Sequence, residues 1–190
     1  MSEPCPICAN ESTYIIWSQG NFELYPFPFA ISEEKRSFRM DQIIHFCGQC
    51  HHAFLWPRPD GKTLAALYES GYSGYTSTLE TQGLTSSIND PACEYIADEI
   101  NRKFGRPVRI VEIGGNDGYV LSKLEHLSED RLLVEPGKSA AAIARRHGIP
   151  VLEAFFDQAV ADHLAGKFDV VISRHVIEHM RDPAEFIIQL

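Results

Sequence analysis

The chain has 190 residues, 44% of them hydrophobic and 11% aromatic, which is enough apolar material for a folded core and excludes wholesale disorder. Its 17 basic and 26 acidic residues give a formal net charge of −9, which excludes nucleic acid as a partner but leaves small anions such as sugar nucleotides open. No apolar run approaches the roughly 20 residues needed to cross a bilayer, and Met1–Ile7 lacks the pattern of a secretory signal. We therefore expect a cytoplasmic protein with no membrane partner.

The first features along the chain are two C-x-x-C pairs, Cys5–Cys8 and Cys47–Cys50. Two thiols on one short turn can approach a single ion, and two such turns supply the four soft ligands of a tetrahedral Zn²⁺ site. Because four thiolates leave no open coordination position, the pattern predicts a structural zinc that folds this segment. Cys93 stands apart from the pairs and is typical of a small buried hydrophobic residue.

Other chemistries use the same cysteine spacing. Disulfides require an oxidising compartment, which the expected cytoplasmic location does not provide. The run Cys47–His51 matches the attachment pattern of c-type haem, but haem would leave Cys5 and Cys8 unexplained. A thioredoxin-like redox pair needs a βαβ context that this region lacks. Zinc is the favoured interpretation, with His51 or His52 as a substitute fourth ligand.

Short strands surround the cysteine pairs and predict a zinc-ribbon module over residues 1–60. The predicted strands are Ser12–Trp17, Gln42–Phe46 and Ala53–Trp56. The run Pro57–Gly61 combines Pro, Asp and Gly, so it predicts a turn at the module boundary.

Residues 61–90 are interpreted as a linker that begins with a short helix at Lys62–Glu69. The segment Gly71–Thr78 within it is rich in Tyr, Ser and Gly and has little periodicity. It is either a flexible linker or a lid whose Tyr72 and Tyr75 hydroxyls reach into a site.

Residues 91–190 change character, because apolar strands alternate with helices. A helix at Pro91–Lys103 opens this part, with Asn89 or Asp90 as its N-cap and Pro91 at the first helical position. The predicted strands are Val108–Ile113, Arg131–Glu135, Pro150–Ala154 and Phe168–Ser173, and the predicted helices are Tyr119–His126, Ser139–His147, Ala159–Leu164 and Pro183–Leu190. This alternation favours a parallel sheet with both faces covered, the doubly wound α/β architecture.

A glycine-rich loop follows the first of these strands, at Gly114–Gly118. Glycines there allow a tight turn and a close approach of the backbone to a ligand. Glu135, at the end of the next strand, lies where a carboxylate accepts hydrogen bonds from ribose hydroxyls. The loop departs from the dinucleotide fingerprint, because Gly114, Asn116 and Gly118 alternate and Glu112 precedes them.

The run Glu112-x-Gly114-x-Asn116-x-Gly118 resembles the first motif of class I S-adenosylmethionine (SAM)-dependent methyltransferases, with Asn116 in place of the usual middle glycine. Together with the two cysteine pairs and the segment 174–179, the chain resembles the zinc-containing C-methyltransferases that act on deoxysugars. This resemblance implies SAM as cofactor and a Rossmann-like parallel sheet. It also implies a nucleotide-activated 4-keto sugar as substrate, methylated at C-3 through an enolate.

The resemblance further implies which residues form the site. Those expected near the cofactor are Glu112, Gly114, Gly115, Asn116, Asp117, Gly118, Glu135, Pro136, Phe155, Phe156, Asp157 and Arg174. Those expected near the sugar are His179, His175, Tyr75 and Tyr72. A histidine titrates near neutrality, so it can remove the C-3 proton or stabilise the enolate.

The segment His175–His179 also spells H-x-x-E-H, which in inverted zinc metalloproteases places two metal-binding histidines on one helix. Asp182–Pro183 would break such a helix early, so the sequence disfavours that use. A third interpretation is that the two histidines only cap and pack the turn.

Class I methyltransferase folds contain more strands than the four placed before Leu190. We therefore expect the N-terminal half of a longer protein, with one sheet edge or face uncovered and little activity by itself. Two alternative functions stay open: a methyltransferase for another small metabolite, and a non-catalytic fragment that binds SAM or zinc. The sequence does not predict the oligomeric state.

Overall fold

The computed structural model describes residues 3–24, 38–58, 60–62, 78–81, 84–180 and 182–190. The strands are β1 (Thr13–Leu24), β2 (Phe38–Cys47), β3 (Ala53–Leu55), β4 (Val108–Ile113), β5 (Ser128–Val134), β6 (Val151–Leu152) and β7 (Val170–Ser173). The helices are α1 (Thr78–Thr81), α2 (Leu84–Phe104), α3 (Tyr119–Lys123), α4 (Lys138–Arg146), α5 (Gln158–Leu164) and α6 (Pro183–Gln189). Single 3₁₀ turns cover Glu125–Leu127 and Ile177–His179.

The strands β1, β2 and β3 form an antiparallel sheet in that order. Thr13 pairs with Cys47 at one end of the β1–β2 ladder and Leu24 pairs with Phe38 at the other. The three strands predicted around the cysteine pairs are confirmed, but β1 continues beyond Trp17 to Leu24. Residues 18–21 of this extension are exposed, so the sequence has no apolar alternation there that would predict a strand. Pairing with β2 keeps the extension in the sheet.

The other four strands form a parallel sheet in the order β6-β5-β4-β7. This confirms the predicted α/β fold, with strand ends that differ by a few residues from the sequence estimate. The chain leaves β4 for β5 on one side and later returns to pair β7 on the other side. The carboxyl ends of β4 and β7 therefore border the topological switch point, where open α/β sheets bind ligands.

Both faces of the parallel sheet are covered. On one face Ile110 and Leu133 pack in a fully buried cluster with Leu121 of α3. On the other face Val111 packs in a cluster with Phe186 of α6. Side chains of this size contribute roughly 1.5–3 kcal/mol each when fully buried. Because the residues from Ile110 to Ile113 are all buried, a polar side chain in this part of β4 lies far from water.

The predicted start of the helix after the linker is wrong. Helix α2 runs from Leu84 to Phe104 and contains Pro91 in its interior, so Asn89 and Asp90 are not N-caps. Their side chains make tertiary contacts instead: the Asp90 carboxylate accepts a 2.5 Å hydrogen bond from the Tyr119 hydroxyl. A proline inside a helix removes one backbone hydrogen bond, and these contacts with the neighbouring elements offset that loss.

Strands β6 and β7 are the two edge strands of the parallel sheet in the part of the chain that the structure describes. Val171 on β7 is 43% exposed and Ile188 on α6 is 84% exposed. Any open sheet has two edges, so the expectation of an incomplete sheet stays a prediction.

Several predictions fall on residues 63–77, outside the described residues. These include the helix predicted from Lys62 onward and the Tyr/Ser-rich segment with Tyr72 and Tyr75. The proposed domain boundaries stay predictions. Within the described ranges, no helix combines the length and apolar character needed to span a bilayer.

Candidate cofactor site and metal centre

The two C-x-x-C pairs lie side by side. The sulfur atoms of Cys5, Cys8, Cys47 and Cys50 all lie within 4.8 Å of one another. The Sγ–Sγ distance is 3.5 Å between Cys5 and Cys50 and 3.6 Å between Cys8 and Cys47. A tetrahedron of Zn–S bonds of about 2.3 Å places its sulfurs roughly 3.8 Å apart, so the cluster has the size of a Zn²⁺ site.

The two cysteine turns share one backbone geometry. The amide of Ala9 donates to the carbonyl of Cys5 at 2.8 Å, and the amide of His51 donates to the carbonyl of Cys47 at 3.0 Å. The residue after each pair has a positive φ, 55° at Ala9 and 60° at His51. The amide of Cys50 lowers the pKa of the Cys47 thiol to about 7. The amide of His52 acts to lower the pKa of the Cys50 thiol, but burial and the neighbouring thiols raise it overall. Two matched turns that aim four thiols at one point fit a metal.

This arrangement separates the alternatives that the cysteine spacing left open. All five cysteines are free thiols, so the disulfide interpretation is not supported. In the described ranges, these four cysteines are the only group of side chains gathered closely enough to hold a metal ion. The His51 ring stacks on Phe46 and the His52 ring on Phe54, so neither belongs to this group.

The glycine-rich loop runs from the end of β4 into α3, at the switch point. Gly114 has φ +67° and Gly118 has φ +76°, conformations that favour glycine. Asn116 also has a positive φ, 55°. Asparagine is among the non-glycine residues that adopt this region most readily, which explains how it replaces the usual middle glycine without disturbing the loop.

The Glu135 carboxylate links this loop to the end of β5 by hydrogen bonds. One of its carboxylate oxygens accepts a 3.0 Å hydrogen bond from the Asn116 amide, and the other accepts a 2.7 Å bond from the Gly137 amide. Burial raises the pKa of Glu135 to about 7, although these two amides act against the rise. Each carboxylate oxygen can accept a second hydrogen bond, so Glu135 retains capacity for a ligand hydroxyl beside Pro136.

Glu112 lies beneath the loop, within β4, and is 2% exposed. Its Oε2 atom is buried and has no hydrogen-bond partner among the described residues. A Cβ atom added to Gly115 would lie 2.5 Å from that oxygen and 2.4 Å from Cδ of Glu112. Burial raises the pKa of Glu112 to about 8, although the positive charge of Arg174 acts to lower it. The close approach of the loop backbone to this carboxyl requires glycine at position 115.

Asp117 connects the loop to the segment before it. Its carboxylate accepts hydrogen bonds from the amide of Tyr119, at 3.2 Å, and from the amide of Leu79 in α1, at 2.9 Å. The residue is 3% exposed. These contacts hold α1 against the loop, and the cofactor role expected for Asp117 stays a prediction. No sequence signal pointed to Leu79.

The segment after β7 faces the same edge of the sheet. Two guanidinium nitrogens of Arg174 each lie 3.3 Å from the side-chain oxygen of Asn89 on α2. His175 is exposed and has a positive φ of 54°, and its Nδ1 lies 3.5 Å from a Glu178 oxygen. His179 is also exposed and ends the 3₁₀ turn Ile177–His179.

This geometry does not support the metalloprotease interpretation. The H-x-x-E-H segment forms a single 3₁₀ turn with His175 outside it, so the two histidines do not share one face of an α-helix. The carbonyl of Met180, next to His179, accepts a 3.1 Å hydrogen bond from the guanidinium of Arg58. That contact brings Arg58, which follows β3, to this turn, and no local pattern in the sequence predicts it.

The three residues after β6 that were expected near the cofactor have different environments. Phe155 is 50% exposed. Phe156 packs edge-on against Phe186 in the core, with ring centroids 5.6 Å apart. The Asp157 carboxylate accepts a 2.9 Å hydrogen bond from the Val160 amide and is the N-cap of α5. Of the two phenylalanines, only Phe155 is exposed, near the end of β6.

Residues 88–190, just over half of the chain, match a family described as "Methyltransferase domain". The chain belongs to this family. It is 28% identical over 114 residues to a ubiquinone biosynthesis O-methyltransferase of Azorhizobium caulinodans, covering 53% of this chain and 45% of that protein. It is 26% identical over 105 residues to the protein of the same name in Sodalis glossinidius, covering 53% of this chain and 41% of that protein. The chain thus spans less than half the length of the two curated methyltransferases that it matches.

Among solved structures, the plantazolicin methyltransferase BpumL, in complex with a pentazolic analog and SAH, matches with a TM-score of 0.50 and 17% identity. The match covers 67% of this chain and 51% of BpumL. At this identity the similarity is one of fold.

Proposed function

We propose that this chain binds SAM at the Gly114–Gly118 loop and takes part in SAM-dependent methyl transfer to a small molecule. The observation that carries this proposal is the loop itself, which lies at the switch point of a methyltransferase-family sheet. Glu135 is hydrogen-bonded to the loop at its Asn116 amide. When bound, SAM supplies a methyl group activated by a sulfonium.

The residues present fit such a cofactor. Glycine at position 115 lets the loop backbone pack directly on the Glu112 carboxyl, which occupies the place that a side chain would take. The buried, unpartnered Oε2 of Glu112 lies beneath the loop, and when ionised its negative charge favours a positively charged group bound there. Glu135 can accept hydrogen bonds from ribose hydroxyls, and Phe155 offers an exposed aromatic face. These are groups suited to the cationic, the ribose and the adenine parts of SAM.

Within methyltransferases, we propose that the substrate is a nucleotide-activated 4-keto-deoxysugar methylated at C-3. Support comes from the joint presence of the four-cysteine cluster and the Glu112–Gly118 motif, which together resemble the zinc-containing sugar C-methyltransferases. In this proposal Zn²⁺ has only a structural role. Methyl transfer is an in-line displacement, so the site must mainly align the carbon and the methyl group about 3–3.5 Å apart.

The chain's own groups would handle the proton. His179 lies in the exposed turn that follows β7, at the ligand-binding edge of the sheet. As a neutral imidazole it can take the C-3 proton of the keto sugar and leave an enolate. His175 and the hydroxyls of Tyr72 and Tyr75 are proposed to stabilise the enolate oxygen, the two tyrosines lying outside the described residues.

A specific observation favours a second candidate, O-methylation of another small metabolite. The two curated relatives quoted above are named O-methyltransferases of ubiquinone biosynthesis. The same loop and the same His179 would serve a hydroxyl as well as a carbon acid, because each needs a base beside the methyl group.

Incubation with methyl-labelled SAM and a panel of acceptors decides between these candidates. The panel contains nucleotide-linked 4-keto sugars and catechol-type hydroxyl compounds, and product analysis distinguishes a new C–C bond from a new C–O bond. We expect label on the keto sugars at a low rate for this chain by itself, lost in His179→Ala but retained in the matched variant His163→Ala, an exposed histidine on α5. SAM binding with no transfer to any acceptor would instead identify a non-catalytic SAM-binding chain.

A further inference from the structure

We propose that Glu112 is protonated in the ligand-free chain and gives up its proton when a positively charged ligand binds the Gly114–Gly118 loop. Glu112 thereby becomes a specificity-determining residue, because a bound positive charge replaces the lost proton. The inference rests on the proposed function insofar as SAM is the cationic ligand used to test it.

The burial of Glu112 is the first reason. The side chain is 2% exposed, and its Oε2 has no hydrogen-bond partner in the described ranges. The Leu121 amide is hydrogen-bonded to the carboxyl and favours its charged form, but burial outweighs that bond. A buried carboxylate with one unpartnered oxygen is costly, and a carboxyl in such a place normally becomes neutral. Glu135 differs, because both of its oxygens accept backbone amides.

The charged groups that face Glu112 do not supply a counter-ion. They are Arg174 after β7, Asp117 in the loop and Glu135 after β5, with the Cys93 thiol facing it from α2. Arg174 attracts the charged form of Glu112, but its guanidinium is held by Asn89 and makes no ion pair with Glu112 among the described contacts. Asp117 and Glu135 both oppose a further negative charge.

The position of Glu112 is the second reason. Its carboxyl lies against the backbone of Gly115, where an added Cβ would be 2.4 Å from Cδ. Because Oε2 is itself buried, a cation bound at this glycine backbone acts on the carboxyl through space and not by direct contact. A positive charge near a buried carboxyl favours its ionised form. The exchange balances, since the protonated chain plus a cation gives the complex plus one proton released to the buffer.

The proton leaves a direct thermodynamic signature. Calorimetric titration of the chain with SAM at pH 6.5, in buffers of different ionisation enthalpy, counts protons released per SAM bound. The α-amino group of SAM has a pKa of about 7.7–8.0, so it is already protonated at this pH and does not contribute. We expect the natural chain to release close to one proton more per SAM bound than Glu112→Gln does. Relative to that variant, the affinity of the natural chain for SAM should rise by up to about tenfold per pH unit.

Controls separate the outcomes. Glu135→Gln should retain the release, because the proton comes from Glu112. If Glu135→Gln loses the release while Glu112→Gln keeps it, or if the natural chain binds SAM with no release, the inference is overturned. Absence of any SAM binding by the natural chain would refute the proposed function instead.

A second measurement is used should Glu112→Gln not fold. Carboxyl ¹³C NMR of the ligand-free natural chain and of Glu135→Gln shows whether a buried Glu other than Glu135 titrates near pH 8. A Glu112 carboxyl ionised throughout neutral pH would equally overturn the inference.

Discussion

Substitution of Gly115 by Ala tests the packing of the loop on Glu112. The backbone at Gly115 has no positive φ, so the expected effect is steric rather than conformational. The new Cβ would lie 2.4 Å from Cδ, 2.5 Å from Oε2 and 2.7 Å from Cγ of Glu112. Real Cβ atoms do not approach that closely, so one of the two groups must move, and the buried Glu112 has little room to do so.

The expected cost is that of overpacking a core, about 1–3 kcal/mol. For a chain of this size each kcal/mol lowers Tm by roughly 2–4 °C, so we expect a fall of roughly 2–12 °C. Urea denaturation followed by circular dichroism measures the free energy of unfolding. Gly61→Ala is the matched control, because no heavy atom lies within 4 Å of its added Cβ, and its effect should stay within about 0.5 kcal/mol.

A double-mutant cycle shows whether Glu112 causes the loss. In the Glu112→Ala background the clashing atoms are gone, so Gly115→Ala should cost about 1–3 kcal/mol less than it does in the natural chain. An equal cost in both backgrounds would show that Gly115 does not lie on Glu112, and the loop geometry described here would be incorrect.

Three further predictions concern the metal, the buried carboxyl and a helix cap. Mass spectrometry should find one Zn²⁺ per chain that Cys5→Ser removes and Cys93→Ser retains, and zinc surviving the first change would contradict the four-thiolate site. The folded pKa of Glu112, about 8, lies above its usual 4.5, so the folded state binds more protons between these values and stability falls as pH rises through them. Relative to Glu112→Gln, urea denaturation of the natural chain should show a loss of up to about 1.4 kcal/mol per pH unit from pH 5 to 8, and parallel curves would refute it. Asp157→Ala should lose about 1 kcal/mol of stability through the unsatisfied Val160 amide, whereas Asp157→Asn should lose less, and equal losses would contradict the cap.

The fold could be predicted because its strongest signals are local. The strand Val108–Ile113 is nearly continuous in apolar residues since both of its faces are covered. The cysteine cluster was likewise predictable, because two C-x-x-C turns have few other uses in a chain of this kind. Glu112 was a visible exception inside an apolar strand, and the structure gives the reason in its burial beneath Gly115.

What the sequence could not show depends on contacts between distant residues. Asn89 and Asp90 have the composition of helix caps, yet Arg174 and Tyr119 engage them from other elements, and the helix continues through Pro91. Phe155 and Phe156 are equivalent in sequence, and only packing decides which of them faces solvent. The contact of Arg58 with the turn after β7 spans 122 residues and leaves no local pattern.

SAM binding by the chain tests the central claim most directly. Calorimetry with the natural chain should give saturable binding at one site. Glu135→Ala should weaken it, whereas the matched variant Glu129→Ala, at the exposed start of the same strand, should not. No binding, or equal affinities for Glu135→Ala and Glu129→Ala, would contradict the assignment of the Gly114–Gly118 loop as the cofactor site.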